Sequence, residues 1–218
     1  MRSLLLFLGL SCLFVSTASA QLDIFPSKPT DEGKPPAYLV HIATDSPAPG
    51  KGTFYTDWGS GALVDPEYVL TCSHNIELVH DQIMVTFRNG DQVEAEVFAR
   101  EPVLDLCILK LKETRFETPI KVSQDVVEAR QTVTAWGYPG DGTSKAASFT
   151  GKVSPAILQI GNIRGAWFRF SGQAGQGVSG GPVIVGGKLV GVEVGSFPVT
   201  GIRAVNTPQV RAILRKLP

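Results

Sequence analysis

Cysteine is scarce in this chain of 218 residues, which contains only Cys12, Cys72 and Cys107. Small exported domains that depend on disulfides carry more cysteines at regular spacings, so a disulfide-rich scaffold is excluded. The chain is long enough to build one sizeable core or two small ones. Its stability must therefore come mainly from buried apolar side chains.

The chain also lacks an excess of charge of either sign, with 20 basic and 20 acidic residues. Proteins that bind nucleic acid or anionic membranes carry clustered Lys and Arg, and no such cluster is present. Histidine is equally scarce, with three residues. The histidines and cysteines show no spacing typical of metal ligands, and no two cysteines form a closely spaced pair in the sequence. The sequence therefore predicts no nucleic-acid partner, no metal and no other cofactor.

Long apolar runs are absent after residue 15, and the single one covers residues 4–15. It follows Arg2 and precedes the small-x-small sequence Ala18-Ser19-Ala20, a pattern typical of a secretory signal peptide. The run is shorter than the ~20 apolar residues that a membrane span needs. We expect residues 1–20 to be removed and the product to be secreted or periplasmic, without a membrane anchor.

The remaining chain consists of short apolar or alternating runs separated by Gly, Pro, Asp and Asn. Residues 21–37 carry four prolines and predict an extended leader. Candidate strands form two series, the first at 38–43, 61–64, 68–71, 82–87, 92–98 and 104–111, the second at 131–136, 147–153, 167–170, 182–185, 189–194 and 202–205. The spacing predicts an all-β fold, with two six-stranded antiparallel barrels at 38–115 and 116–206. Apolar residues at helical spacing predict a short C-terminal helix at 207–218.

A serine stands among glycines in residues 176–182, which read Gln-Gly-Val-Ser-Gly-Gly-Pro. A serine hydroxyl becomes a good nucleophile only when a base accepts its proton. The backbone N–H groups of Gly177 and Ser179 can point at one position and hold a developing oxyanion there. By itself the motif fits a glycine-rich turn between strands equally well.

Two upstream motifs supply a base and an acid. Residues 59–64 read Gly-Ser-Gly-Ala-Leu-Val, residues 68–75 read Tyr-Val-Leu-Thr-Cys-Ser-His-Asn, and residues 105–111 read Asp-Leu-Cys-Ile-Leu-Lys-Leu. The order His74, Asp105, Ser179 is that of chymotrypsin-like proteases. Over roughly residues 38 to 216, the sequence therefore resembles the trypsin-like serine proteases, most closely the protease domain of the HtrA type, without the PDZ domain into which HtrA proteins continue.

The resemblance implies a chymotrypsin-like fold and a serine endopeptidase that cleaves polypeptides through an acyl-enzyme. It implies that His74 is the general base, that Asp105 orients it, and that Ser179 is the nucleophile. Gly177 and Ser179 would donate the oxyanion-hole N–H groups. Val178 replaces an aspartate that pairs with the new N-terminus in many activated trypsin-like enzymes, so that route of activation is excluded. Residues 139–145 are a candidate for ordering the oxyanion hole.

The substrate pocket follows from alignment with the same family. The residues assigned to it are Gln173 at the base and Val194, Gly195, Ser196 and Ile202 in the walls. None is a carboxylate, and Ile202 would partly fill the pocket, which predicts small apolar side chains before the scissile bond. Glu193 is a competing candidate, because strand alternation turns it away from its two valine neighbours. If it faces the pocket, a preference for Lys or Arg is expected.

Two other functions and one structural question stay open. An α/β-hydrolase esterase also carries Gly-x-Ser-x-Gly, but it needs a histidine after the serine, and none follows Ser179. A catalytically inactive binding module would keep the fold with a malformed oxyanion hole or pocket.

Cys72 and Cys107 each lie two residues from a proposed triad member. We expect the two cysteines to be close, with both sulfurs on one side of the barrel, as buried free thiols rather than a disulfide. The oligomeric state is not specified.

Overall fold

The computed structural model describes residues 34–47, 54–76, 82–140, 145–156, 158–160, 163–197 and 201–218, so the expected signal peptide and most of the leader lie outside the described residues. The described elements are β1 (Leu39–Pro47), β2 (Phe54–Asp65), β3 (Tyr68–Cys72), a 3₁₀ helix (His74–Ile76), β4 (Gln82–Thr86), β5 (Gln92–Glu101), β6 (Leu106–Leu111), β7 (Thr132–Gly137), β8 (Ala147–Lys152), β9 (Leu158–Ile160), β10 (Ile163–Phe170), β11 (Pro182–Val185), β12 (Lys188–Phe197), β13 (Gly201–Asn206) and α1 (Thr207–Leu214).

The first six strands form a closed antiparallel barrel in the order β1-β2-β3-β6-β5-β4. Alternate side chains point inward and fill its core, among them Ile42, Val69, Val85 and Leu109. Strands β4 and β5 are joined through Asn89-Gly90, where Gly90 has a φ of 90°. This left-handed conformation is the reason that a glycine follows Asn89 at the turn.

The remaining strands form a sheet in the order β8-β7-β11-β12-β13-β10-β9. The end of β8 bends onto β10: Val153 bridges Phe170, and the Ser171 N–H donates to the Lys152 carbonyl at 3.0 Å. A Cβ at Gly151 would collide with the Ser171 carbonyl, so this approach requires glycine. The contact closes six strands into a second barrel, with β9 added beside β10. The predicted fold of two six-stranded antiparallel barrels is confirmed.

A separate apolar cluster, outside the core of the first barrel, joins the two barrels to the C-terminal helix. It combines Leu70 and Ile108 of the first barrel with Val192 of the second and Val210 and Ile213 of α1. The helix begins after Asn206, whose side chain accepts the Thr207 N–H, and it ends at Leu214, short of the predicted end. Within the described residues, no helix is long and apolar enough to cross a membrane.

Three strands begin two or more residues away from their predicted starts. Strand β2 starts at Phe54, not residue 61, and β10 starts at Ile163, not residue 167. Their N-terminal halves are held by pairing with β1 and β9, which a local apolar pattern does not reveal. Strand β6 starts at Leu106, because Asp105 just before it has a φ of 58° and leaves the extended conformation.

Candidate active site

The three proposed triad residues lie at the junction between the two barrels, each just outside a strand. His74 opens the 3₁₀ helix after β3, Asp105 occupies the turn between β5 and β6, and Ser179 precedes β11. Strand ends are suited to this purpose, since their backbone can turn while the barrel behind them stays rigid.

His74 and Asp105 make a two-point contact. The imidazole Nδ1 lies 2.6 Å from Asp105 Oδ2, and the His74 backbone N–H donates to Oδ1 at 2.9 Å. The His74 side chain is 38% exposed and that of Asp105 is 23% exposed, so the ring faces the cleft with the carboxylate behind it. With Nδ1 bonded to the carboxylate, Nε2 is the proton-accepting nitrogen of the neutral ring.

Asp105 reaches His74 because its backbone turns left-handed. At a φ of 58° it occupies a region that few residues other than glycine adopt, although Asp is among the tolerant types. Its N–H donates to the Pro102 carbonyl at 3.1 Å, and its own carbonyl accepts the Ser73 N–H at 3.2 Å. These bonds hold a conformation that costs on the order of 1 kcal/mol, and they aim the carboxylate at the histidine.

The two cysteines are close, as predicted, because Cys72 is paired with the chain neighbour of Cys107, but the prediction that both sulfurs lie on one side of the barrel is wrong. Thr71 is paired with Cys107 and Cys72 with Leu106, and directly opposed residues share a face. The two cysteines therefore point to opposite faces: Cys72 packs between the barrels, whereas Cys107 packs inside the first barrel. The argument from alternation failed because Asp105 is not part of the strand. Both thiols are buried and free, as expected.

The serine turn is docked onto the first barrel by hydrogen bonds. The Ser179 carbonyl accepts the Ser60 N–H at 2.8 Å and the Asn75 side-chain amide at 2.9 Å. Gly180 has a φ of 88°, and a Cβ on it would collide with the Ser60 carbonyl and the Thr71 hydroxyl. The glycine after the serine is therefore required by this close approach. Sequence reasoning assigned no role to Ser60, Thr71 or Asn75, although all three lie inside the motifs around His74.

The residues ahead of the serine are held by a second set of bonds. Gly177 has a φ of 87°, and its carbonyl accepts the Ser60 hydroxyl at 2.7 Å. That hydroxyl oxygen also accepts the Tyr138 N–H at 2.9 Å, and the Gly140 N–H donates to the Gln176 carbonyl at 2.8 Å. The start of the predicted 139–145 loop thus contacts the oxyanion segment, while residues 141–144 lie outside the described residues. In the described part of the chain, neither the Gly177 nor the Ser179 N–H donates to a backbone carbonyl.

A cleft of about 400 Å³ opens onto these groups. The residues lining it are Asp57, Trp58, His74, Asn75, Gln176, Gly177 and Ser179. The base and the nucleophile therefore border the same solvent-accessible space, which a bound substrate could occupy.

The residues assigned to the specificity pocket lie close together but do not line this cleft. Ile202 is fully buried and is paired with Phe170 and Ser196. The Ser196 hydroxyl accepts the Ala174 N–H at 3.0 Å and so ties the segment containing Gln173 to β12. Val194 is 6% exposed, while Gln173 and Gly195 are half-buried. Two of the five assigned residues are therefore closed to solvent, and the other three keep part of their surface exposed.

Glu193 lies next to the serine turn and is almost completely buried, at 1% exposure. The Ser179 side chain and the Gly195 N–H lie within reach of its carboxyl group, and its Oε2 atom has no partner in the described part of the chain. Burial raises the pKa of this carboxyl to about 8. As strand alternation predicts, its side chain faces away from the interbarrel cluster that contains Val192 and Val194. The sequence did not predict that this carboxyl lies next to the proposed nucleophile.

Among the residues that the structure describes, one group of side chains has ligand atoms close enough together to hold a metal ion. Cys72, His74 and Asp105 each present a ligand atom, and these atoms lie within 4.8 Å of one another. Burial and the neighbouring carboxylates raise the pKa of the Cys72 thiol well above its usual value. A metal is bound by the thiolate, so this thiol is a poor ligand. The arrangement favours hydrogen bonding between His74 and Asp105.

Comparison with known proteins gives consistent matches. The profile of the trypsin-like peptidase domain matches residues 59–192. A probable periplasmic serine endoprotease, DegP-like, from Buchnera aphidicola is 29% identical over 139 residues, covering 62% of this chain and 30% of the relative. The serine endoprotease DegS of Haemophilus influenzae is 28% identical over 145 residues, covering 65% and 42%. The chain therefore spans less than half of these relatives.

Solved structures give the same architecture. A serine endoprotease from Yersinia pestis is 25% identical with a TM-score of 0.70, covering 84% of this chain and 64% of that chain. A protease from M. tuberculosis in its active form is 22% identical with a TM-score of 0.69, covering 83% and 81%. The second likeness bears on the fold alone.

Proposed function

We propose that this chain, which belongs to the trypsin-like peptidase domain family, is a serine endopeptidase of the HtrA type acting through Ser179, His74 and Asp105. The observation that carries the proposal is the 2.6 Å contact between His74 Nδ1 and Asp105 Oδ2, beside a cleft that Ser179 also lines. A histidine oriented by a carboxylate, next to a serine in a tight turn, is the arrangement that activates a serine hydroxyl.

The reaction would proceed in two steps. His74 accepts the Ser179 proton through Nε2 while the hydroxyl oxygen attacks the peptide carbonyl, and Asp105 stabilises the imidazolium that forms. The N–H groups of Gly177 and Ser179 stabilise the oxyanion of the tetrahedral intermediate. The imidazolium then gives its proton to the leaving amine, which leaves an acyl-enzyme on Ser179. Water hydrolyses this ester in the second step, with His74 again as the base.

The substrate preference proposed for this site is a small apolar side chain before the scissile bond. The buried Ile202 and Val194 leave little room between the assigned walls. Glu193 is sealed from solvent at 1% exposure, so a basic side chain could reach it only by displacing its surroundings. A library of peptides digested with the mature chain tests this preference directly.

Export of the product is also a proposal. Its support is the basic, apolar and small-residue pattern of residues 1–20, together with a relative described as periplasmic. N-terminal sequencing of the chain recovered outside the cytoplasm tests it. A mature chain that starts at Gln21 supports signal cleavage, and an intact Met1 contradicts it.

Labelling with a serine-directed fluorophosphonate tests the proposed nucleophile. We expect the folded mature chain to be labelled at Ser179, and Ser179→Ala to lose both labelling and peptide hydrolysis while keeping the same unfolding midpoint. Loss of a triad nucleophile costs on the order of 10⁴ to 10⁶ in rate. Hydrolysis by Ser179→Ala within tenfold of wild type would contradict the assignment. A folded wild-type chain that is never labelled would instead support the inactive binding module.

A further inference from the structure

The backbone of Glu193 is bonded directly to the turn that carries Ser179. The Gly180 N–H donates to the Glu193 carbonyl at 2.8 Å, and the Glu193 N–H donates to the Gly181 carbonyl at 2.9 Å. The Cys72 thiol donates to the same Glu193 carbonyl at 3.1 Å. These bonds hold the Cα of Glu193 beside the nucleophile turn, so its side chain has little freedom to point elsewhere.

The carboxyl group of Glu193 is a buried polar group beside the serine turn. At 1% exposure it is sealed from solvent, Oε2 has no partner in the described residues, and the Ser179 hydroxyl and the Gly195 N–H lie within its reach. A buried carboxylate without a bonded cation carries a large desolvation cost, so the neutral form is favoured. Because the two forms differ in acceptor strength, they act differently on a hydroxyl within reach.

We propose that Glu193 is a positioning residue for Ser179, which holds the serine hydroxyl away from His74 when ionised and releases it when neutral. This inference rests on the proposed function of Ser179 and His74. An ionised carboxylate accepts a charge-assisted hydrogen bond from the hydroxyl, and that bond competes with the one to His74 Nε2. A neutral carboxyl is a weaker acceptor and competes less. The Ser179 hydroxyl keeps its proton in this step, and only the direction in which its O–H points changes.

The charged and titratable neighbours of Glu193 come from several elements. His74 on the 3₁₀ helix attracts the ionised form, Asp105 in the β5–β6 turn repels it, and Arg203 on β13 interacts with it electrostatically. Cys72 on β3 is a neutral thiol, because its pKa is raised well above the usual value. Arg169 on β10 lies opposite Arg203. Burial dominates all of these, so the neutral form prevails below pH 8 and the ionised form above it.

The expected consequence is that kcat/KM falls at alkaline pH, because the pH dependence of kcat/KM reports the ionisations of the free enzyme. Protonation of the general base at low pH removes activity and produces the acidic limb of the pH profile of kcat/KM, and ionisation of Glu193 produces the alkaline limb. With a pKa of about 8 for Glu193, kcat/KM at pH 9.5 should be about 30-fold below its value at pH 7. A merely structural glutamate would not produce this limb.

The test compares three forms of the mature chain between pH 5.5 and pH 10: wild type, Glu193→Gln and, as a matched control, Glu96→Gln. Glu96 is an exposed residue of β5 in the other barrel. The readouts are kcat/KM with an uncharged peptide substrate and the rate of fluorophosphonate labelling, with circular dichroism at each pH. We expect the alkaline limb in wild type and Glu96→Gln, and its loss in Glu193→Gln, because a glutamine cannot ionise.

Each outcome has one meaning. A folded Glu193→Gln that keeps the alkaline limb overturns the inference, as does a wild-type rate that stays flat to pH 10. If Glu193→Gln does not fold, the wild-type profile decides: a loss of at least tenfold that reverses on return to pH 7 supports the inference. A folded wild type that is neither labelled nor active at any pH contradicts the proposed function itself.

Discussion

The side-chain amide of Asn75 donates a hydrogen bond at 2.9 Å to the backbone carbonyl of Ser179, across the junction of the two barrels. Asn75 directly follows His74, and its amide also donates to the Thr71 hydroxyl at 3.1 Å. The residue that follows the proposed base is thus bonded to the proposed nucleophile. This contact sets the distance between the base and the serine turn, which come from different barrels.

Replacing Asn75 should therefore impair activity more than its distance from the chemistry suggests. Asn75→Ala removes a partly buried hydrogen bond, which leaves the Ser179 carbonyl with one donor fewer and costs about 1–3 kcal/mol. If this cost falls on the active geometry, kcat/KM drops by roughly tenfold to a hundredfold. Asn89→Ala, in the exposed β4–β5 turn, serves as the control. A kcat/KM within twofold of wild type would show that the contact does not position the serine.

Gly180 should tolerate no side chain. Comparison with Gly90 separates the effect of the left-handed backbone from that of the collision. Gly180 and Gly90 have φ values of 88° and 90°, but a Cβ on Gly90 would meet nothing within 4 Å. Gly90→Ala should thus lose about 1–2 kcal/mol from the left-handed backbone alone. Gly180→Ala adds a collision with the Ser60 carbonyl, so we expect a loss of roughly 3 kcal/mol or more. Urea denaturation measures both, and equal losses would contradict the docking of the serine turn.

Shortening Ile202 should widen the substrate preference. Ile202→Gly opens space between the assigned pocket walls, so larger side chains before the scissile bond should be cleaved relatively faster. The cavity will also lower the free energy of unfolding by about 2–5 kcal/mol. Ile42→Gly, at a fully buried isoleucine of the other barrel, controls for that loss. An unchanged preference in the peptide digest would place the pocket elsewhere, and a wild-type preference for Lys or Arg would assign it to Glu193.

The free energy of unfolding should also depend on pH through the ionisation of Glu193. The pKa of its carboxyl is about 8 in the folded chain and ~4.3 in an unfolded one. Between these values the folded state retains a proton that the unfolded state has lost, so stability decreases as pH rises. Between pH 5 and pH 8, Glu193→Gln should therefore gain on the order of a few kcal/mol relative to wild type. Urea denaturation at several pH values checks this, and parallel curves for the two proteins would contradict it.

The sequence by itself determined the features that depend on residues close together in the chain. The glycines around Ser179, the motif that ends in His74-Asn75 and the acidic residue before an apolar run predicted the candidate triad. Period-two patterns and the Asn89-Gly90 turn predicted the two barrels, because strand alternation and turn chemistry act between near neighbours in the chain.

Only the tertiary structure decided how these pieces meet. Asp105 turns left-handed through bonds to Pro102 and Ser73, so alternation along β6 could not predict which way Cys107 faces. Alternation did predict the face of Glu193, but not that this face is sealed beside the serine turn. Burial and charge environment depend on residues that are far apart in the chain and close in space. For that reason the pKa of a carboxyl, and its effect on a serine, become readable only in the folded protein.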